Sequence, residues 1–236
     1  MRMRVVLAAG LLLAGCGRDR ADRAYFEALE GEEKGMEREQ QVALMDLAIQ
    51  LSPRRAYYYE TRAGYRIDLK QYDRAIADLD RAIELVDRPY ARFLRGMAWC
   101  QIAEYRRSLA DFDSAIVRQP FNSQFYRGRS LARAAVGDVV GALADADRLV
   151  AGEPQRGESY FVRGVARTLL GRDRDAIADF NRAATIRPEL VYVVEERMRA
   201  YQRIGDSIGA QLDEETAARL REEQSGCAPC LDPFRY

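Results

Sequence analysis

The sequence predicts an all-α protein built from a stack of helix hairpins. Three observations support this prediction. Similar residues return every 33 or 34 positions, apolar residues within each period are spaced as on two helices, and glycine or proline punctuates these segments. One hairpin cannot bury its apolar stripe alone, so we expect neighbouring hairpins to pack on one another.

The first 15 residues are interpreted as a signal peptide rather than as part of the fold. Arg2 and Arg4 precede an apolar run from Val5 to Ala14. This run is about half of the roughly 20 apolar residues that a membrane-spanning helix needs. A basic start followed by a short apolar run is typical of a secretory signal that is removed on maturation.

The end of this run, LAGC at 13–16, resembles the lipobox of bacterial lipoproteins. In that family the cysteine becomes the lipidated first residue, so the resemblance implies lipidation of Cys16 followed by a linker at 16–21. Gly17 stands where an aspartate would favour the inner membrane, which implies the outer membrane, facing the periplasm. An ordinary secretory signal with a chance cysteine remains the alternative.

Two charged series define the repeats. Each arginine of one series precedes an aspartate of the other by 16 residues, in the pairs Arg62 and Asp78, Arg95 and Asp111, Arg129 and Asp145, Arg163 and Asp179, and Arg197 and Asp213. These series divide the chain into five full units at 56–88, 89–122, 123–156, 157–190 and 191–224. A degenerate unit at 22–55 comes before them, and a tail at 225–236 follows.

Within each full unit the sequence predicts two helices. In 157–190, Tyr160, Val165 and Leu169 mark the first helix, and Gly171 ends it because glycine accepts a left-handed cap. A second apolar stripe at Ala176, Ile177, Phe180 and Ala183 marks the next helix. Pro188 then prevents its continuation.

These units resemble the tetratricopeptide repeat, a 34-residue helix–turn–helix. The resemblance lies in a small residue in the first helix, as at Gly164, in the alanine pair Ala176 and Ala183, and in the closing Pro188. It implies a right-handed superhelical solenoid whose first helices line a concave, partner-binding face. The first full unit is one residue short, and the last has Met198 where a small residue belongs.

The repeated phrase AIADLDRAI at 75–83 raises the question of catalysis. Paired acids such as Asp78 and Asp80 are able in principle to act as general acid and base or to hold a cation. Five equivalent positions are instead typical of a structural device, since catalysis needs one particular site. We therefore predict no catalytic residues, and an Arg–Asp ladder that stabilises the stack.

Composition narrows the function further. Lys plus Arg total 37, as do Asp plus Glu, and there is no histidine. The absence of a basic excess argues against nucleic-acid binding. The absence of histidine removes the usual general base and the commonest neutral metal ligand. We expect no metal, no cofactor and no small-molecule substrate.

The cysteines other than Cys16 suggest structural roles. Cys100 is interpreted as a buried or groove-lining thiol. Cys227 and Cys230 form a C-x-x-C pair without the residues that a haem or zinc site would need. A local disulfide in an oxidising compartment is the favoured interpretation, and a redox dithiol is the alternative.

The resemblance also implies a partner-binding groove along the first helices. The residues expected to line it form a largely apolar strip with one cation: Tyr90, Phe93, Met97, Cys100, Arg127, Leu131, Ala134, Phe161, Val165 and Thr168. Such a groove suits an amphipathic helix or an extended apolar segment. The chain's own tail, with Leu231, Phe234 and Tyr236, is an equally open occupant.

Three hypotheses for function follow. The leading one is a lipid-anchored scaffold or adaptor that binds another envelope protein in assembly or regulation of an envelope complex. It resembles in outline the tetratricopeptide outer-membrane lipoproteins. The alternatives are a permanent structural subunit of an envelope machine and a thiol oxidoreductase that uses Cys227 and Cys230.

Overall fold

The computed structural model describes residues 17–31 and 33–225, and every regular element in these residues is an α-helix. The twelve helices are α1 (Gly17–Gly31), α2 (Arg38–Leu51), α3 (Ala56–Asp68), α4 (Tyr72–Leu85), α5 (Pro89–Gln101), α6 (Tyr105–Arg118), α7 (Ser123–Ala135), α8 (Val139–Gly152), α9 (Gly157–Leu169), α10 (Asp173–Ile186), α11 (Val191–Ile204) and α12 (Ser207–Ser225). Within these residues no helix is both long and apolar enough to cross a membrane.

The chain forms two compact units, and the boundary in the sequence lies between Pro120 and Phe121. Helices α1–α6 belong to the first unit and α7–α12 to the second. In each unit consecutive helices pair as hairpins, and the second helix of one hairpin packs against the first helix of the next. The first helices of neighbouring hairpins also touch, as α3 does with α5 and α9 with α11. This arrangement places the first helices side by side.

The first hairpin begins earlier than the sequence suggested. Part of the linker expected at 16–21 is helical, because α1 starts at Gly17. Ala21, Ala24 and Ala28 recur at helical spacing and are buried in one cluster with Met45 and Tyr58. The burial of this alanine stripe against α2 and α3 accounts for the earlier start, because tertiary packing supplies most of the stability of a helix in a protein.

Small residues in the first helices make room for large ones in the second. A Cβ atom added to Gly96 would lie 2.8 Å from Phe112 Cε1, and one added to Gly164 would lie 2.5 Å from Phe180 Cε1. In the hairpin α3/α4 the equivalent positions hold Ala63 and a smaller partner, Leu79, and all these residues are buried. The pairing keeps the helices close at native packing density.

The turn inside each full hairpin uses one residue in the left-handed region. Gly137, Gly171 and Gly205 occupy it with φ of 84°, 70° and 78°, but Lys70 and Ala103 adopt φ of 58° and 61° at the same repeat position. A residue with a Cβ costs roughly 1–2 kcal/mol in this conformation. The turns inside the two full hairpins of the first unit are therefore more strained than those of the second unit.

Candidate protein-interaction surface

The constant spacing of 16 residues between arginine and aspartate corresponds to a bidentate ion pair in every full hairpin. Arg62 Nε and Nη2 donate to the two carboxylate oxygens of Asp78 at 2.9 and 2.5 Å. Four further pairs repeat this geometry: Arg95 with Asp111, Arg129 with Asp145, Arg163 with Asp179, and Arg197 with Asp213. All five aspartates are buried. Two parallel charge-assisted bonds are among the strongest side-chain contacts in proteins.

The same arginines also reach back to the preceding hairpin. Arg62 Nη1 lies 2.6 Å from Asp46 Oδ1, and Arg95 Nη1 lies 2.7 Å from Asp80 Oδ1. In the last hairpin Arg197 Nη1 donates to the Asn181 side chain at 2.8 Å. A guanidinium placed this way joins two hairpins, so these carboxylates neutralise cations inside the stack rather than facing a substrate.

A second arginine, which was not among the predicted site residues, completes the site in three hairpins. Arg66, Arg133 and Arg167 each stand four residues after the first arginine and donate to the same aspartate at 2.7–2.9 Å. Each also bonds a backbone carbonyl at the start of the second helix. The spacing of four residues was visible in the sequence and predicts a shared helix face.

In the first unit the predicted groove residues divide between core and surface. Phe93 is 0% exposed and Met97 is also buried, so the expectation that both line a groove is wrong. The Tyr90 ring, with its centroid 6.0 Å from that of Phe93, is 49% exposed and does lie at the surface. Phe93 sits inside because its ring packs between Tyr90 and Phe112.

Cys100 is half-buried and lies 2.9 Å from Ser108 Oγ. Burial raises the pKa of its thiol, and the contact with Ser108 lowers that pKa by less. The thiol therefore stays protonated near neutral pH and is a poor nucleophile.

In the second unit the predicted strip remains at the surface. Leu131, Phe161, Val165 and Thr168 are all partly exposed on α7 and α9. Tyr192 of α11 extends the strip, since its ring meets Phe161 edge to face at 4.7 Å. The strip thus crosses three first helices.

One end of this strip borders a small, open cleft. Arg127 lies in this cleft, whose lining residues are Ser123, Gln124, Arg127, Leu149, Glu153, Arg156, Glu158 and Ser159. Ser123 Oγ donates to Glu153 Oε1 at 2.5 Å, and Arg187 Nη1 donates to Glu158 at 3.0 Å. The cleft is therefore a network of mutually paired charges beside an apolar strip.

The first unit carries an aromatic cluster whose residues were not among the predicted site residues. The ring centroids of Tyr25 and Tyr57 are 5.0 Å apart, and those of Phe26 and Tyr25 are 5.3 Å apart. The hydroxyls of Tyr57 and Tyr58 both donate to Asp22, at 3.2 and 2.5 Å. The repeat spacing of the sequence could have indicated an aromatic surface here, because Tyr57 and Tyr90 occupy equivalent positions in their hairpins.

Several features predicted from the sequence concern residues that the structure does not describe. The signal peptide, Cys16, the pair Cys227 and Cys230, and the apolar tail residues lie outside the described residues. Within residues 17–31 and 33–225, no group of three or more acidic or cysteine side chains is placed to hold a metal ion.

Comparison with known sequences gives partial matches only. No family model matches this chain. A stretch of 86 residues is 33% identical to dynein axonemal assembly factor 4 of Pongo pygmaeus, and one of 87 residues is 32% identical to the Rattus norvegicus protein. Both matches cover 33% of this chain, which spans about a fifth of the length of these relatives (20% and 21%).

Comparison with solved structures covers far more of the chain. A tetratricopeptide repeat protein from Parabacteroides merdae superimposes with a TM-score of 0.71 at 13% identity, over 87% of this chain and 86% of that one. MamA from Desulfovibrio magneticus RS-1 superimposes with a TM-score of 0.60 at 16% identity, over 74% of this chain and 97% of that one.

The chain has the tetratricopeptide repeat fold. The predicted all-α repeat architecture is thereby confirmed.

Proposed function

We propose that this protein is a lipid-anchored adaptor of the bacterial envelope that binds a partner protein along the first helices of its second unit. The observation that carries this proposal is the apolar strip formed by Leu131, Phe161, Val165 and Tyr192, which stays partly exposed on three neighbouring helices. The partner is another envelope protein, and the adaptor acts in assembly or regulation of its complex.

The chemistry of the strip defines the kind of segment that it binds. Aromatic and aliphatic side chains line it, and charged groups border it at the cleft around Arg127. An amphipathic helix, or an extended segment with apolar side chains, would bury these residues and keep its own polar face in water. The partial match to a protein named as an assembly factor is in keeping with such a role.

The lipid anchor at Cys16 would hold this surface at the outer membrane, facing the periplasm. The support for it is the LAGC motif after a short apolar run. A single lipid chain binds a membrane only reversibly, so a stable anchor takes a second chain or another membrane contact.

Affinity capture from solubilised envelopes tests the adaptor role, with the full-length chain as bait. Phe161→Ala removes the central ring of the strip, so we expect it to reduce partner recovery about tenfold or more, as for an interface hot spot. Ile208→Ala is the matched control, because Ile208 is 74% exposed on α12, away from the strip. Membrane fractionation of Cys16→Ser tests the anchor, and we expect this variant to leave the membrane fraction.

Circular dichroism should give both bait variants the helical content of the wild type. If Phe161→Ala and the wild type recover the same proteins in equal amount, the strip is not the binding surface. Recovery of Cys16→Ser in the membrane fraction would contradict the anchor.

A further inference from the structure

The first unit holds a buried carboxylate that the repeat architecture does not explain. Glu60 lies on α3 and is only 8% exposed. Its Oε1 accepts no hydrogen bond from any residue in the described part of the chain, and its Oε2 has only a long contact of 3.5 Å to Arg88 Nη1. A buried charged oxygen without a partner is costly, so such a group calls for an explanation.

The hairpin 191–224 also has a glutamate at the position equivalent to Glu60, but this residue, Glu195, is partly exposed and pairs with Arg221. The positions equivalent to Glu60 and Gly64 hold Phe93 and Met97 in the next hairpin, and Phe161 and Val165 in the hairpin α9/α10. A Cβ atom added to Gly64 would meet no atom within 4 Å. Since residues four apart lie on one face of a helix, open space stands beside Glu60 in the only full hairpin where this position is glycine.

Aromatic side chains flank the carboxylate on both sides. Tyr57 is one turn before Glu60 on α3 and is partly exposed, and Tyr90 at the start of α5 is half-exposed. Burial raises the pKa of the Tyr90 hydroxyl, and the nearby charge of Glu60 raises it further. Beyond Tyr57, α1 contributes Asp22 and a largely exposed Phe26. The surface combines two carboxylates with three accessible rings.

This combination is complementary to a cation. A carboxylate pairs with an ammonium or guanidinium group, and tyrosine and phenylalanine faces attract the same groups by cation–π interaction. Within the described residues Glu60 pairs with one cation, Arg88, whose side chain is 44% exposed and makes only the 3.5 Å contact, so an incoming cation can replace it.

We propose that the surface formed by Asp22, Phe26, Tyr57, Glu60 and Tyr90 binds a lysine or arginine side chain of the partner protein. The guanidinium or ammonium group enters the space above Gly64 and donates to Glu60, while the tyrosine rings flank its alkyl stem. This inference rests on the proposed adaptor function and specifies part of the partner's chemistry: a basic residue, in addition to an apolar segment.

Selection of peptides on the purified full-length chain tests this proposal. A displayed library of random 12-residue peptides is selected on the wild type, and the recovered peptides are measured against variants by fluorescence anisotropy. We expect a group of peptides with a common lysine or arginine. Glu60→Gln should weaken their binding about tenfold or more, since a hydrogen bond to a charged group is lost. Gly64→Leu should weaken it similarly by filling the space.

Glu84→Gln is the matched control, because Glu84 is an exposed acid on α4 that pairs only with its neighbour Arg81 within the described residues. It should leave affinity unchanged. Arg88→Ala should strengthen binding, since it removes the competing cation. The thermal melt separates binding from folding. Burial raises the pKa of Glu60, so its ionised form destabilises the fold above that pKa. Glu60→Gln should therefore melt at the same temperature or higher at neutral pH.

The outcomes separate this inference from the adaptor proposal. If the selected peptides lack a common basic residue, or bind Glu60→Gln as tightly as the wild type, the cation site is wrong. Peptides that lose binding with Phe161→Ala and not with Glu60→Gln would overturn this inference and leave the adaptor role standing. Loss of binding in Glu60→Gln with an unchanged or raised melting temperature supports the cation site.

Discussion

Arg129→Ala is expected to lower the free energy of unfolding by about 3 kcal/mol, the cost of removing one partner from a buried ion pair. Asp145 is buried and accepts from Arg129 at 2.9 and 2.6 Å, with Arg133 as its remaining cation at 2.9 Å. Removal of Arg129 leaves one carboxylate oxygen without its charged donor. A thermal melt should show a decrease of roughly 6–12 °C for a chain of this size.

Arg156→Ala provides the control with the same change of charge. The Arg156 side chain is 45% exposed and lies 3.4 Å from Glu153, three residues away. A surface pair of this kind is worth about 0–1 kcal/mol. Equal melting temperatures for Arg129→Ala and Arg156→Ala would contradict a structural role for the Arg–Asp ladder. Partner recovery should be unchanged in Arg129→Ala when measured below its melting temperature, and Arg156→Ala serves as a control for stability only, because Arg156 lines the cleft beside the strip.

Gly164→Ala should destabilise the second unit by about 2 kcal/mol through overpacking. The new methyl group would lie 2.5 Å from Phe180 Cε1, and Phe180 is fully buried among Ala176, Ile177 and Ala183. The ring cannot shift without displacing these neighbours. Urea denaturation should record the loss as a lower midpoint with an unchanged slope.

Another hairpin of the same chain shows which second substitution should compensate for Gly164→Ala. In the hairpin α3/α4 an alanine, Ala63, and a leucine, Leu79, occupy these two positions and both are buried. Gly164→Ala combined with Phe180→Leu should therefore recover a large part of the lost stability. Gly152→Ala is the control, because a Cβ atom there meets nothing within 4 Å. If Gly164→Ala is as stable as the wild type, the close approach of α9 to Phe180 does not limit packing.

The sequence by itself determined the repeat architecture. The 16-residue lag between Arg62 and Asp78, kept in every full unit, placed the arginine on a first helix and the aspartate on a second. The spacing of apolar residues and the repeat period can both be read directly along the sequence. Apolar residues at helical spacing define a helix, and a constant period defines how such helices recur. The bidentate contacts found at these positions follow from that register.

Only the tertiary structure decided which residues of a helix face are accessible. Phe93 and Phe161 stand at equivalent repeat positions, yet Phe93 is buried next to Tyr90 whereas Phe161 is partly exposed beside Tyr192. Likewise, the sequence alone does not distinguish Glu60 from an ordinary exposed acid. Burial depends on side chains contributed by helices about 30 residues apart, and no periodicity within one helix records how closely those side chains approach.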